Sequence, residues 1–230
     1  MKEQNKYHFT VQTKQVTIYS QKQDKANAPA IYLHMVMPDN GEIYQNLLEM
    51  GYDNFHLITI CGLQWEHDMA PWNIPPISEG DTPCSGGADD YLKLLANTII
   101  PMSEKYIGEK ICWRGIAGYS LAGLFAVYSL YQTDIFSRAV SISGSLWFPD
   151  FIDYATSHPL QSKLQKLYFS LGKKEAKTRN PYLKSVEENT KTLASYYKSL
   201  GIDTVLEMNP GNHFTDVAKR SAKGIAAIQL

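Results

Sequence analysis

Cysteine is scarce in this chain of 230 residues, and the three that are present, Cys61, Cys84 and Cys112, cannot all pair with one another. None of them forms a C-x-x-C motif, so the sequence indicates neither a disulfide framework nor a zinc knuckle. Cys61 and Cys112 fall in apolar stretches that predict buried strands, where cysteine packs as a small apolar side chain. The chemistry of this chain is therefore expected from other residue types.

An excess of charge of either sign is also lacking. The 22 lysines and arginines nearly balance the 23 acidic residues and give a formal net charge of −1. Nucleic-acid binding depends on basic side chains that neutralise phosphates, so a nucleic-acid partner is not expected. The apolar fraction of 44% is that of a globular protein and excludes an intrinsically disordered chain.

Long hydrophobic runs are absent as well. The longest uncharged stretch, residues 115–133, is interrupted by glycines and serines. It predicts a strand, a turn and a helix rather than a membrane-spanning helix. Residues 1–19 alternate polar and apolar side chains and lack the apolar core of a signal peptide. We therefore expect a soluble, cytoplasmic protein with no membrane partner.

What the sequence does contain is an alternation of short apolar segments with helical patterns. Strands are predicted at residues 9–11, 16–18, 28–36, 55–61, 111–117, 139–142, 167–171 and 205–208. Helices are predicted at residues 42–50, from 88 onward, at 121–131, from the cap Asn180 to Gly201, and at 215–228. Such alternation favours a three-layer α/β sandwich around a mostly parallel, twisted sheet with antiparallel strands at its N-terminal edge.

One long segment, residues 62–87, is irregular and rich in Pro, Gly and Trp. Loops of this length inside a compact domain are usually functional. Without repeats, low-complexity tracts or linkers, we expect a single domain spanning residues 1–230 with no separate lid. The wall of a substrate site would then include Trp65, Asp68, Trp72 and Trp147, unless the tryptophans only fix the loop to the sheet. Pro101 is expected to kink or end the helix that follows this segment.

The strongest chemical signal is residues 118–123, Gly-Tyr-Ser-Leu-Ala-Gly, at a predicted strand-to-helix junction. A sharp turn there needs small neighbours, and it holds the Ser120 hydroxyl at its tip. The backbone N–H of the next residue, Leu121, would point at a developing oxyanion. Ala122 stands where glycine is commonest, and the alternative interpretation is a helix N-cap serine.

A nucleophilic serine needs a base and an acid further along the chain. Of the two later histidines, His158 lies in a polar connection, whereas His213 lies between the last strand and the last helix. The acid is expected after the strand that ends near residue 171, where Glu175 could orient the imidazole of His213. The competing acids, Asp150 and Asp153, lie one strand earlier.

A metal site is disfavoured. His34, His56 and His67 could join Glu66 and Asp68 as ligands, but no pair of histidines has the spacing of a zinc protease helix. We therefore expect no metal and no cofactor.

These segments together resemble the esterase D (siderophore esterase-like) family of the α/β-hydrolase superfamily. The matching pieces are residues 68–72 (Asp-Met-Ala-Pro-Trp), 86–92 with Ile-Ile-Pro at 99–101, the serine turn, residues 143–147 (Ser-Gly-Ser-Leu-Trp) and residues 211–214 (Gly-Asn-His-Phe). The family includes S-formylglutathione hydrolases, siderophore-ester hydrolases, feruloyl esterases and mycolyl transferases. The resemblance implies Ser120 as nucleophile, His213 as base and Glu175 as acid.

The chain departs from that family in the strand at residues 31–36, which reads His-Met-Val at 34–36 in place of the frequent His-Gly. The N–H of Met35 is the position expected to supply the second oxyanion-hole donor beside Leu121. The predicted activity is hydrolysis of carboxylic or thio esters of small molecules through an acyl-enzyme. Acyl transfer to an alcohol on the same triad, a peptidase, or a catalytically silent binding protein are the alternatives, and a homodimer is left open.

Overall fold

The chain opens with an antiparallel hairpin. In the computed structural model, which describes residues 4–21 and 27–230, strand β1 (Gln4–Val11) pairs with β2 (Lys14–Gln21). Residues 1–3 and 22–26 of the predicted domain lie outside the described residues. Val16 and Ile18 are fully buried because every second side chain of β2 faces the core. The two opening strands are longer than the sequence pattern indicated.

A sheet of eight strands runs through the described part of the chain. The strands that follow the hairpin are β3 (Ala30–His34), β4 (His56–Cys61), β5 (Asn73–Ile74), β6 (Cys84–Ser85), β7 (Arg114–Tyr119), β8 (Arg138–Ile142), β9 (Lys166–Gly172) and β10 (Asp203–Asn209). The order in the large sheet is β1-β2-β4-β3-β7-β8-β9-β10, and β5 pairs only with β6. In the large sheet, neighbouring strands are parallel across β4, β3, β7, β8, β9 and β10. Strand β2 joins β4 antiparallel. The predicted α/β fold is confirmed.

Helices cover both faces of this sheet. They are α1 (Glu42–Glu49), α2 (Trp65–Asp68), α3 (Ala88–Leu94), α4 (Ile100–Ile107), α5 (Leu121–Gln132), α6 (Phe151–Ser157), α7 (Pro181–Lys184), α8 (Val186–Ser199) and α9 (Val217–Ala227). Helices α1 and α9 share one apolar cluster with one face of the sheet. Helices α3, α5 and α8 share the second cluster with the other face. Helix α5 lies deepest, since every residue from Leu121 to Tyr131 is buried.

Two helices differ from their predicted form. The helix from residue 88 does not end at Pro101 but passes it through a π-helical turn, Leu95–Ile99, and continues as α4. Proline has no amide hydrogen, and a locally wider turn is one way to pass such a gap in the hydrogen bonds. The helix after Asn180 divides into α7 and α8. Asn180 caps α7 as predicted, because its side chain accepts hydrogen bonds from the backbone N–H of Tyr182 and Leu183.

Other predicted details were wrong. The segment 62–87 is not wholly irregular, since it contains α2 and the small β5–β6 pair. Helix α6 was not predicted. Cys112 is exposed and precedes β7 rather than lying on a buried strand, whereas Cys61 is buried at the end of β4 as predicted.

The register of the parallel strands brings four strand ends to one edge. Tyr119 of β7 lies opposite Ile142 of β8, and Gly172 of β9 lies opposite Asn209 of β10. The residues that follow these strands therefore meet at the carboxyl edge of the sheet, where open α/β sheets bind their ligands. Within residues 4–21 and 27–230, no helix is both long and apolar enough to cross a membrane.

Candidate active site

Ser120 occupies a strained turn between β7 and α5. Its backbone has φ 59° and ψ −124°, a conformation that costs energy for any residue with a side chain. Two flanking glycines make the turn sterically feasible. A Cβ at Gly118 would lie 2.2 Å from the carbonyl oxygen of Ala122, and one at Gly123 would lie 2.9 Å from Cα of Gly144. The small-residue pattern of the sequence thus reflects a crowded backbone.

Backbone hydrogen bonds fix the serine from both sides. The Ser120 N–H donates to the carbonyl of Ile142 at 3.0 Å, and the Ser145 N–H donates to the carbonyl of Ser120 at 2.9 Å. Leu121 is the first residue of α5, where backbone N–H groups have no partner within the helix. The Leu121 N–H therefore takes no part in the hydrogen bonds within the helix, and it follows Ser120 directly in the chain.

The imidazole of His213 lies between Ser120 and Glu175. Its Nε2 is 3.1 Å from Ser120 Oγ, and its Nδ1 is 2.8 Å from Glu175 Oε2. An ionised carboxylate can only accept, so Nδ1 donates to Glu175 and Nε2 is left to accept the proton of Ser120. The three side chains that the sequence predicted as a triad are thus adjacent.

A short turn after β10 presents His213. Gly211 has φ 88°, and the Asn212 side chain accepts hydrogen bonds from the Phe214 N–H at 3.0 Å and from the Thr215 hydroxyl at 3.1 Å. The Tyr119 hydroxyl donates to the His213 carbonyl at 2.6 Å. This turn is bonded to its own side chains and to the strand that precedes Ser120.

The Glu175 carboxylate is 5% exposed and accepts four hydrogen bonds. Oε2 accepts from His213; Oε1 accepts from the Gly172 N–H at 2.6 Å, the Ser143 hydroxyl at 2.7 Å and the Arg220 guanidinium at 3.1 Å. Burial acts to raise the pKa of Glu175, but the hydrogen bonds from His213, Ser143 and Gly172 together outweigh it and lower the pKa below its usual value. The carboxylate is therefore ionised at neutral pH despite its burial.

Arg220 and Ser143 donate hydrogen bonds to this carboxylate. The sequence analysis predicted this role for neither of them. Arg220 is 3% exposed; it also donates to the Tyr119 hydroxyl at 3.0 Å and to the Asn212 carbonyl at 3.2 Å. Its Nη2 donates to the Ser143 hydroxyl. Ser143 itself has φ 46°, and its hydroxyl donates to Glu175. The Ser-Gly-Ser turn was a visible signal, whereas nothing in the sequence marks Arg220.

The competing residues lie elsewhere. His158 is exposed at the end of α6 and stacks on Tyr154, with ring centroids 4.3 Å apart. Asp150 and Asp153 lie at the start of that helix. None of the three takes part in the hydrogen bonds around Ser120.

The predicted second oxyanion donor requires correction. The Met35 N–H donates to the carbonyl of Ile60 at 3.0 Å, so it is engaged in the sheet and cannot also bind an oxyanion. The reason is that the parallel pairing of β3 and β4 extends one residue beyond His34. The Met35 side chain instead lines a cavity at Ser120.

Of the four residues predicted to bind substrate, Trp65 and Trp147 line cavities that reach Ser120, and the other two do not. Asp68 is buried, lies 2.6 Å from Nζ of Lys14 and accepts the Gln64 N–H at 2.8 Å. Trp72 packs among four aromatic rings, those of Tyr128, Phe148, Phe151 and Tyr154. We correct the predicted role of Asp68 and Trp72 from substrate binding to holding the segment 62–87 on the fold.

The histidines considered as metal ligands are separated. His34 is fully buried between the rings of Tyr91 and Phe125, and burial lowers its pKa to about 4. His56 bonds to Ser20 and His67 bonds to Ser85. In the part of the chain that the structure describes, no three His, Cys, Asp or Glu side chains are grouped so as to hold a metal ion.

Comparisons with known proteins bear on the fold. No family model matches the chain. The Bacillus subtilis uncharacterized protein YbbA is 24% identical over 189 residues, which cover 77% of this chain and 74% of that protein. Siderophore hydrolase EstA from Aspergillus nidulans superimposes with a TM-score of 0.74 at 18% identity, covering 100% of this chain and 96% of that one.

A second solved structure, an IroE-like serine hydrolase from Shewanella oneidensis, gives a TM-score of 0.79 at 15% identity, covering 98% of this chain and 80% of that one. At such identities the likeness shows the fold. The chain therefore shares the α/β-hydrolase fold with these enzymes.

Proposed function

We propose that this chain is a serine esterase that cleaves carboxylic or thio esters through an acyl-enzyme, with Ser120, His213 and Glu175 as its triad. The observation that carries the proposal is the position of the His213 imidazole, 3.1 Å from the Ser120 hydroxyl and 2.8 Å from the Glu175 carboxylate. These distances allow proton transfer and orientation of the base without any rearrangement.

Acylation begins when His213 Nε2 takes the proton of Ser120 as Oγ attacks the ester carbonyl carbon. The electron pair of the carbonyl moves onto its oxygen, and the imidazolium that forms is stabilised by Glu175. Collapse of the tetrahedral intermediate breaks the bond to the leaving oxygen or sulfur. His213 then gives its proton to the leaving group, and the acyl group stays on Ser120.

The oxyanion is bound by the Leu121 N–H at the start of α5. A helix N-terminus carries partial positive charge and unpaired N–H groups, so it favours the developing negative charge. This role uses a group that the fold fixes in advance through the hydrogen bonds of the Ser120 turn. Met35 has no part in it, because its N–H is bonded to Ile60.

Deacylation repeats the sequence with water. His213 takes a proton from the water molecule as its oxygen attacks the acyl carbonyl, and the proton returns to Ser120 as the acid is released. The buried, ionised Glu175 keeps Nδ1 of His213 protonated throughout both halves of the reaction.

The structural neighbours support this reaction class. Two of them are described as a siderophore hydrolase and an IroE-like serine hydrolase, and they share the fold over nearly the whole of this chain. Because the identities are below 20%, their substrates are not carried over. The cytoplasmic location and the homodimer stay predictions.

The test uses purified wild-type protein and Ser120→Ala with 4-nitrophenyl acetate and a fluorophosphonate probe. Loss of the nucleophile in such a triad lowers kcat by about 10⁶. We expect wild-type turnover, probe mass on the peptide that contains Ser120, and neither in the variant. Ser157→Ala, at an exposed serine of α6, is the matched control and should behave as wild type.

A catalytically silent scaffold would show no labelling of wild-type protein, and that result would end the proposal. Turnover of Ser120→Ala above a few per cent of wild type would remove Ser120 from the mechanism. Product analysis with a competing alcohol then separates hydrolysis from acyl transfer, since a transferase forms mainly the new ester and a hydrolase mainly the free acid.

A further inference from the structure

Three cavities adjoin Ser120, and they differ in charge. The largest, of about 280 Å³, extends between the end of β3 and the start of α9, and we call it the apolar pocket. None of the described residues that line it is an Asp, Glu, Lys or Arg. Besides His213, the titratable residues among the described ones that line it are Tyr119 and His34, and burial keeps His34 neutral at pH 7 with a pKa of about 4.

The mouth of the apolar pocket is also unusual. In the described residues, nine large hydrophobic side chains are exposed, and four of them line this one cavity. They are Val36, Met37, Phe214 and Val217, with exposed fractions of 62%, 72%, 82% and 38%. Single exposed apolar residues are ordinary, but a contiguous group around a cavity is typical of a binding site.

A second cavity at Ser120, of about 190 Å³, contrasts with the first. The residues that line it include the acidic Glu66 and Asp81 and also Leu121. His213 lines the apolar pocket but not this second cavity. An ester bound at Ser120 therefore has two different cavities within reach, one lined by no Asp, Glu, Lys or Arg and one lined by two acidic residues.

We infer that the apolar pocket binds an uncharged, apolar group of the ester substrate, one large enough to reach the exposed rim of Met37 and Phe214. This inference rests on the proposed esterase function. The occupant is a part of the substrate, because Ser120 and His213 line the same cavity. A partner protein that covered only the rim would leave the part of the cavity at Ser120 empty and block access to it.

The expected preference follows from desolvation. Burying one methylene group favours binding about fourfold, whereas a charged group that enters a charge-free cavity loses its hydration without a partner. An apolar group should therefore raise kcat/KM, and an isosteric charged group should not.

Two pairs of substrates isolate the charge, because carbon and nitrogen analogues have nearly the same shape. On the acyl side, 4-nitrophenyl 5,5-dimethylhexanoate is compared with 4-nitrophenyl 4-(trimethylammonio)butanoate. On the alcohol side, 3,3-dimethylbutyl acetate is compared with acetylcholine. We expect kcat/KM to favour the neutral ester at least tenfold in one of the two pairs, and that pair identifies the group in the apolar pocket.

Two variants connect this ratio to the pocket. Met37→Ser removes apolar surface from the rim and should lower the neutral-to-cationic ratio severalfold, whereas Met50→Ser, at a methionine that is 46% exposed outside the pocket, should not. Val217→Asp places a carboxylate in the wall, at the first residue of α9, where an acidic residue suits the helix. It should lower the ratio at least tenfold by raising kcat/KM for the cationic ester, a gain that a misfolded protein cannot give.

The inference is overturned if neither pair shows a preference, or if the preference survives both pocket variants. It is also overturned if the protein elutes as a dimer that Met37→Ser dissociates, because a second copy would then cover the rim. Hydrolysis of these esters with no discrimination between them leaves the proposed function intact. Absence of all hydrolysis and of Ser120 labelling would mean that the proposed function itself fails.

Discussion

The guanidinium of Arg220 lies 3.1 Å from Oε1 of Glu175, and both side chains are almost fully buried, at 4% and 5% exposure. The same guanidinium donates to the carbonyl of Asn212, beside His213. A single cation thus connects Glu175 to the turn that carries His213. Because the Arg side chain presents a rigid fork of donors, it can hold both at once.

We predict that Arg220→Met lowers the free energy of unfolding by about 3–5 kcal/mol, since it leaves a buried carboxylate without its cationic partner. Under conditions where the variant stays folded, kcat should fall more than KM changes, because His213 loses its fixed orientation. Arg220→Lys should recover part of both effects, as it keeps the charge but not the fork. Urea denaturation and steady-state kinetics measure these quantities.

The control is Lys219→Met, which removes a cation from the adjacent, exposed position of α9. Its effect should stay within about 0.5 kcal/mol. Equal losses in the two variants would mean that Arg220 acts only as a surface charge.

A second prediction concerns pH. The hydrogen bonds to Glu175 lower its pKa, so the folded state favours the ionised carboxylate. The stabilisation is complete above the pKa of the unfolded chain, about 4.3, and is lost as the pH falls through the lower pKa of the folded protein. Ser143→Ala removes one donor, and a hydrogen bond to a charged group contributes about 1.5–3 kcal/mol.

We therefore expect the free energy of unfolding of wild type to exceed that of Ser143→Ala by about 1.5–3 kcal/mol at pH 7. This difference should shrink below about pH 4. Urea denaturation at a series of pH values measures it. Ser141→Ala is the matched control, because the Ser141 hydroxyl is buried but has no partner among the described residues. A difference that does not change with pH would separate Ser143 from the ionisation of Glu175.

These residues also show what the sequence could predict. The glycines of the Ser120 turn lie within three residues of the serine, so they and its place between strand and helix were visible in the sequence, although Gly123 also packs against the distant Gly144. Parallel strands end at one edge, which allowed Glu175 and His213 to be predicted from their positions after strands. Arg220 could not be predicted, since it lies beside the similar Lys219 and its partner Glu175 is 45 residues away.

Contacts between distant residues also decide which of the tryptophans predicted to bind substrate lies at the site. Trp72 and Trp147 each lie within two residues of a proline, and only the folded chain shows which one faces the site. Trp147 lines two cavities at Ser120, whereas Trp72 packs on aromatic side chains of α5 and α6.

A third prediction tests that difference. Trp147→Ala should change KM severalfold among esters of different acyl size, because it removes part of the cavity wall. Trp72→Ala should leave those KM ratios unchanged and lower the free energy of unfolding by about 3 kcal/mol through the cavity it creates. Each variant controls for the other, and a shift of the KM ratios in Trp72→Ala would restore its predicted substrate role.

The last prediction concerns the buried ion pair of Lys14 and Asp68, whose charged atoms are 2.6 Å apart at 4% and 7% exposure. Asp68 also accepts the Gln64 N–H, so the pair fixes the start of the segment that forms one wall of the site. Asp68→Ala leaves the Lys14 ammonium buried and unpaired, which should cost about 3–5 kcal/mol. Replacing both charges by apolar side chains, as in Lys14→Met with Asp68→Leu, should recover most of that loss, since apolar packing often stabilises a fold as much as a buried ion pair does.

Urea denaturation of wild type, both single variants and the double variant gives the coupling free energy between the two residues. If the single effects merely add, the pair does not hold this segment; if the KM ratios for esters change with Asp68→Ala while stability does not, Asp68 belongs to the substrate site after all.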